Sequence, residues 1–219
     1  MRRTEADWIA AQLLPAEPSF ISPLLNIGSS TAAFREHKQP HIEGSIFAPL
    51  RRHGVDIVHT DLKQAPGVDV AGDLMDPEVH ERLRARGFKA AISSNLLEHV
   101  RDPRAFARAI ASLVVPGGLL VVTVPYSYPY HADPIDTGFR PTPAELAALF
   151  DGCTYVRGEV VRDTTYAADL TASGLRGLRG LVGALRPWGD IARAQRDRLR
   201  WLFRPFSTSC VVLRTPGAA

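Results

Sequence analysis

Short apolar runs alternate along the chain with stretches of helical spacing, the pattern expected of βαβ units on a parallel sheet. Thr4 to Leu14 reads as a short amphipathic helix ended by Pro15, and SPLLNIG as the first strand. Ile42 to His53 spaces Ile42, Ile46, Phe47 and Leu50 as a helix, with Pro49 kinking it or starting its last segment. GVDIVHTDL is the second strand, ending at Asp61, and VDVAGDL is a short third. A helix from Pro77 to Arg86 takes Asp76 as its N-cap, and Phe88 to Asn95 is strand four. Asp102-Pro103 opens a helix through Val114, which Pro116-Gly117-Gly118 breaks before LLVVTVP, the strand with the most buried character. A loop from Tyr126 to Pro141, a helix near Pro143 to Phe150 and the strands YVRGEVVR and STSCVVLRT complete the pattern.

The length, 219 residues, suits one α/β domain spanning 1–219 with a substantial core. A hydrophobic share of 45% with 22% charged residues is that of a soluble globular chain. The net charge of +3 is local: residues 163–206 hold eight Arg against four Asp, which leaves the remainder at −1. The body therefore offers no compositional basis for binding nucleic acid. Cys153 and Cys210 are far apart and lack metal-type spacing, which predicts a reduced, cytoplasmic protein. The first residues carry Glu5 and Asp7 and too short an apolar run for a signal peptide. No window approaches the ~20 apolar residues of a membrane span.

Strand, the small-residue loop GSSTA, strand ending in Asp61, then GDL, SNLLEHV and VPGGLL form an ordered series. In that order it resembles class I S-adenosylmethionine-dependent methyltransferases, over roughly Pro23 to Phe150. The resemblance implies a Rossmann-like three-layer sandwich. Its sheet would be mostly parallel and seven-stranded, with an antiparallel last strand and a helical insertion before it. It implies S-adenosyl-L-methionine as cofactor, bound beyond the carboxyl ends of the strands. Asn26, Gly28, Ser29 and Ser30 stand where the family wraps the methionine half of the cofactor. Only the first of the family's three glycines is kept, and Asn26 replaces its acid. Asp61 and Leu62 take the ribose position, where two acceptor oxygens suit a vicinal diol. Asp73 and Leu74 take the adenine position, and Asn95 and Leu96 face the methionine ammonium. No metal site is expected.

The segment PYSYPYHADPIDTGFRPT, after strand five, resembles the loop of bacterial methyltransferases acting on sugars and secondary metabolites. His131, Asp133 and, at the end of strand four, His99 are the candidate catalytic groups, with Glu98 a further polar group there. Asp133 or Asp136 would orient His131; alternatively Asp136 pairs with Arg140 to hold the loop and His131 only caps it. Tyr126, Tyr130, Asp136 and Arg140 are the candidate substrate residues.

The insertion, 163–206, sets an apolar stripe beside Arg176, Arg179 and Arg186, and its glycines at 174, 177, 180 and 183 weaken it as an isolated helix. It reads as a substrate lid, a homodimer arm, a peripheral anchor to anionic lipid through 174–204, or a cap packed on the core. The expected activity is methyl transfer to O or N of a sugar-like or natural-product acceptor. The alternative is a non-catalytic methyltransferase-like binding or assembly subunit. A nicotinamide-binding enzyme would share Asp61 but fails on the glycine pattern.

Overall fold

The computed structural model describes residues 1–131, 135–172 and 201–217. One sheet holds seven strands: β1 (Leu24–Ile27), β2 (Ile57–Asp61), β3 (Val70–Ala71), β4 (Phe88–Ser94), β5 (Val114–Ser127), β6 (Thr154–Thr165) and β7 (Pro205–Arg214). Their order is β3-β2-β1-β4-β5-β7-β6. The first five pair in parallel, and β7 runs antiparallel to both β5 and β6. Strand order reverses between β1 and β4, so a crevice opens beyond Ile27 and Ser94.

Alternation along the strands supplies both buried faces. On one, Leu25, Ile27, Ala91, Leu120, Val122 and Val124 pack beneath α5 (Pro77–Arg84), α6 (Pro103–Ser112) and α7 (Pro143–Ala147). On the other, Leu24, Ala90, Ile92, Val121 and Val212 meet α1 (Arg3–Leu13), α2 (Pro18–Ile21), α3 (Pro40–Ile42) and α4 (Ala48–Arg52). The result is a three-layer sandwich, and α8 (Tyr166–Ala172) follows β6. Asp76, Asp102 and Thr142 cap α5, α6 and α7 with side-chain oxygens, and a proline follows each. Among the described residues no helix is long and apolar enough to cross a membrane.

Three boundaries differ from the expected ones. The helical stretch after β1 begins earlier, at Phe34, and includes two π-helical turns, Phe34–Lys38 and Glu43–Phe47, with Pro49 in the first turn of α4 rather than kinking it. Helix α6 ends at Ser112, and β5 already begins at Val114, so Pro116-Gly117-Gly118 lies within that strand as a register shift against β4. Gly118 is required there, since a Cβ would lie 2.5 Å from Val114 Cγ1 and 2.7 Å from the Lys89 carbonyl. At its far end β5 runs on to Ser127, which shortens the following loop. Most of the Arg-rich stripe, residues 173–200, lies outside the described residues.

Candidate active site

A cavity of about 980 Å³ lies at the crevice, lined by Gly28 to Ser30, Asn95, Glu98, His99 and the Tyr128–His131 segment, with Arg2 and Glu5 of the first helix opposite. Gly28 (φ +69°) and Ser30 (φ +53°) both take left-handed backbone, so the turn keeps its shape although glycine is present only once. A Cβ on Gly28 would lie 3.1 Å from the Leu96 side chain. Ser29 is buried, its amide donating to the Thr60 carbonyl at 2.9 Å. Behind the loop, the buried Arg35 guanidinium donates to the carbonyls of Ser29 (2.9 Å), Ser30 (2.8 Å) and Gly67 (2.8 Å). No carboxylate pairs with Arg35 among the described residues, and burial lowers its pKa.

Asn26 lines the cavity while its amide nitrogen is held by β2. Its Nδ2 lies 3.0 Å from Nδ1 of His59, its register partner on β2, and both are buried. Burial, aided by the Arg35 charge, pushes His59 down to about 4, so the imidazole is neutral and Nδ1 accepts. An acid at position 26 would meet that lone pair, whereas the amide supplies a donor.

Asp61 stands at the end of β2 with Oδ2 accepting from the Ser30 amide (2.7 Å) and Oδ1 from the Lys63 amide (3.1 Å). Each oxygen retains acceptor capacity. Neither Asp61 nor Leu62, which is 71% exposed, lines the cavity. Asp73 is exposed, accepting from the Met75 amide, and Leu74 is packed in the core. The cavity lining thus includes Asn26, Gly28, Ser29, Ser30 and Asn95 of the methionine-side candidates, and leaves Leu96 and the adenosine-side candidates beyond it.

The first helix builds the opposite wall. Glu5, 1% exposed, accepts from Asn95 Nδ2 (2.7 Å), Thr123 Oγ1 (2.6 Å) and the Arg2 amide (3.2 Å). Asn95 itself adopts left-handed backbone, φ +50°, which Asn tolerates better than most residues. Arg2 reaches Asp163 at 2.7 Å and Asp169 at 2.8 Å and lies over the Phe206 ring. Burial opposes the Arg2 charge, but the hydrogen bonds it donates to Asp169 and Asp163 outweigh it and hold the pKa above its ordinary value. Sequence reasoning missed these two groups. The available signal was Glu5 at positions i−3 and i−4 to Trp8 and Ile9, on the buried face of α1.

The turn Leu97–His99 and the loop after β5 bring three further groups together. Glu98 is fully buried, and both carboxylate oxygens lack a hydrogen-bond partner among the described residues. Burial, together with the Glu5 and Asp136 charges, pushes it up to about 8. His99 makes a short hydrogen bond through Nδ1 to the Ile135 carbonyl, and its Nε2 lies 3.7 Å from Glu98 Oε1. His131 Nδ1 lies 3.2 Å from Asp136 Oδ2, and its ring stands edge-on to His99 with centroids 5.2 Å apart. Burial lowers the His131 pKa.

Buried Asp136 is also held by Arg140 through two hydrogen bonds, 3.0 and 2.6 Å, and by the amides of His131 and Gly138. Burial raises its pKa, but these donors outweigh that and hold the carboxyl well below its usual range. Asp136 thus pairs with Arg140 and holds the His131 backbone, while the His131 ring donates to the Pro129 carbonyl, 3.4 Å away. Neither Asp136 nor Arg140 lines the cavity. Tyr130, 70% exposed, stands at the cavity's rim, Tyr126 lies outside its lining, and Asp133 lies outside the described residues.

A methyltransferase-domain family model matches residues 22–171. No curated protein matches the chain. The 4+2 cyclase SpnF is similar at a TM-score of 0.54 and 18% identity, over 97% of this chain and 81% of that one. A putative sarcosine dimethylglycine methyltransferase from Galdieria sulphuraria gives 0.54 and 12%, over 96% and 85%. Coclaurine N-methyltransferase, solved with N-methylheliamine and SAH, gives 0.54 and 12%, over 93% and 70%. At such identities these likenesses speak for the fold, and the family match covers most of the chain between β1 and α8. The chain belongs to the methyltransferase-domain family and has the Rossmann-like fold of class I S-adenosylmethionine-dependent methyltransferases.

Proposed function

We propose that the chain transfers the methyl group of S-adenosyl-L-methionine to an oxygen or nitrogen of a small-molecule acceptor, sugar-like or natural-product in character. The observation that carries this reading is that the tight Gly28–Ser30 turn and the Glu98, His99 and His131 groups open into one cavity. The donor end fits. A Cβ on Gly28 would crowd Leu96 at 3.1 Å, and the left-handed residues Ser30 and Asn95 line the same cavity. Asn26, Gly28, Ser29, Ser30, Asn95 and Leu96 would hold or shape the methionine half. Asp61, with capacity left on both oxygens, would meet the ribose, and Leu62, Asp73 and Leu74 would serve the adenosine side. Bound there, the cofactor supplies a methyl group carried on a positively charged sulfur.

The chain's own work is positioning and proton removal. The Pro129 carbonyl takes the Nδ1–H of His131, with the Asp136 carboxylate close by, which leaves Nε2 to take a proton from an acceptor hydroxyl or amine. His99, oriented the same way by the Ile135 carbonyl, stands beside it, and Asp133 remains a candidate from the same loop. Tyr130 would wall the acceptor at the rim. Tyr126, Asp136 and Arg140 would shape its loop. A cytoplasmic role in secondary metabolism, dimerisation and peripheral lipid contact through 174–204 belong to the same reading. The test is turnover of methyl-labelled cofactor with phenols, amines and glycosides. Label transferred with release of S-adenosylhomocysteine supports the proposal; binding of the cofactor without transfer to any of them contradicts the enzymatic part.

A second reading, a methyltransferase-like protein that transfers no methyl group, is favoured by Asn26, whose amide nitrogen is committed to His59 where the family has an acid. SpnF, of similar fold, is a 4+2 cyclase. It predicts absent turnover together with stable self-association or a protein partner, read by light scattering.

A further inference from the structure

A fully buried carboxylate with two unpartnered oxygens is costly, because each lone pair has lost water and gained no donor. Protonation of Glu98 removes the charge but leaves an O–H with no acceptor among the described residues. Both neighbouring imidazoles are turned the same way. His99 gives Nδ1–H to the Ile135 carbonyl and His131 gives Nδ1–H to the Pro129 carbonyl at 3.4 Å, with Asp136 Oδ2 3.2 Å away, so each has an Nε2 lone pair to offer. This is the outer support that metal-ligating histidines receive: a carbonyl or carboxylate on one nitrogen fixes the tautomer and frees the other.

We propose that Glu98, His99 and His131 form a binding site for a divalent transition-metal ion facing the cavity. One ligand atom from each of the three lies within 4.8 Å of the others. Glu98 Oε1 and His99 Nε2, 3.7 Å apart, are close to the edge of about 3.3 Å that tetrahedral bonds of 2.0–2.1 Å imply. Closing the third side takes a movement on the order of 1 Å by His131, which sits on a loop, within the 2.0–2.1 Å bond requirement. Two nitrogens and one carboxylate suit Zn²⁺, Fe²⁺ or Co²⁺ better than Mg²⁺ or Ca²⁺, which favour oxygen ligands. Three protein ligands leave coordination positions open toward the cavity. With the ion bound, the His131 lone pair is occupied, and the ion takes over the lowering of an acceptor hydroxyl's pKa. That last consequence rests on the proposed methyl transfer; binding of the ion does not.

The full-length chain, stripped with chelator and dialysed, is titrated with Co²⁺ and followed by visible absorption, then with Zn²⁺ by calorimetry, in the absence of cofactor. The expected result is one ion per chain, nitrogen-and-oxygen cobalt bands, and no comparable binding of Mg²⁺. His131→Ala, on a loop the core does not need, weakens binding by about tenfold or more, as does His99→Ala. Glu98→Gln abolishes it; should that variant fail to fold, the two histidine variants decide alone. Absence of stoichiometric binding overturns the proposal, as does binding unchanged in the His99→Ala/His131→Ala double variant. Neither result depends on whether the chain turns over an acceptor.

Discussion

Glu5, in the first turn of α1, accepts a hydrogen bond from Asn95, at the carboxyl end of β4, across 2.7 Å. The pair joins residues 90 positions apart and fixes Asn95 in its left-handed conformation beside the cavity. Glu5→Ala would leave Asn95 Nδ2 and Thr123 Oγ1 without their buried acceptor. The expected loss is about 3 kcal/mol in chemical denaturation, from two buried donors at 1–3 kcal/mol each. Glu5→Gln, which keeps an acceptor oxygen, should lose less than half of that.

Arg35 pins the first loop through three carbonyls. Arg35→Met should cost about 3 kcal/mol of stability and raise amide hydrogen exchange at Ser29 to Thr31 ahead of the rest of the chain. Equal protection of that loop in wild type and variant would contradict the role.

His59 contributes a pH dependence of definite sign. Folded, it titrates near 4; unfolded, a histidine titrates near 6.5. Between those values the unfolded chain binds a proton that the native chain does not. Stability is therefore full above about 6.5 and falls as pH drops toward 4, by about 3 kcal/mol for this group. Because Glu98, pushed up to about 8, contributes the opposite slope over this range, the fall is read as a difference: denaturation midpoints of wild type and His59→Gln, measured from pH 7 to 4, should diverge as pH drops.

Gly28 and Ser30 share a backbone conformation but not a constraint. Gly28→Ala adds a left-handed penalty of about 1–2 kcal/mol and places a Cβ against Leu96. Ser30→Gly removes such a penalty and should stabilise by up to about 1 kcal/mol, read as a higher melting temperature. Cofactor affinity should change little in Ser30→Gly, because the turn already has the required shape.

The sheet was legible because alternation and apolar runs record burial directly, and Asp76-Pro77 and Asp102-Pro103 marked helix starts through local chemistry. Asn26, Gly28, Asn95 and His99 were legible at the site because strand ends before small or polar residues locate the crevice. Glu5 and Arg35 were not, since each acts on backbone or side chains that only the tertiary fold brings near. The end of α6 was misplaced for a related reason. The glycines that look like a helix stop are required by the close approach of Gly118 to Lys89 on the next strand.

The most direct measurement is calorimetric titration of wild type and Asp61→Ala with S-adenosylmethionine and S-adenosylhomocysteine. Asp61 holds the Ser30 amide at 2.7 Å, and loss of a charged hydrogen bond of about 2 kcal/mol corresponds to roughly 30-fold in affinity. The expected result is one saturable site in wild type, weakened by about that factor in Asp61→Ala. Wild-type protein that is folded by circular dichroism yet binds neither compound would contradict a cofactor site at the Gly28–Ser30 loop.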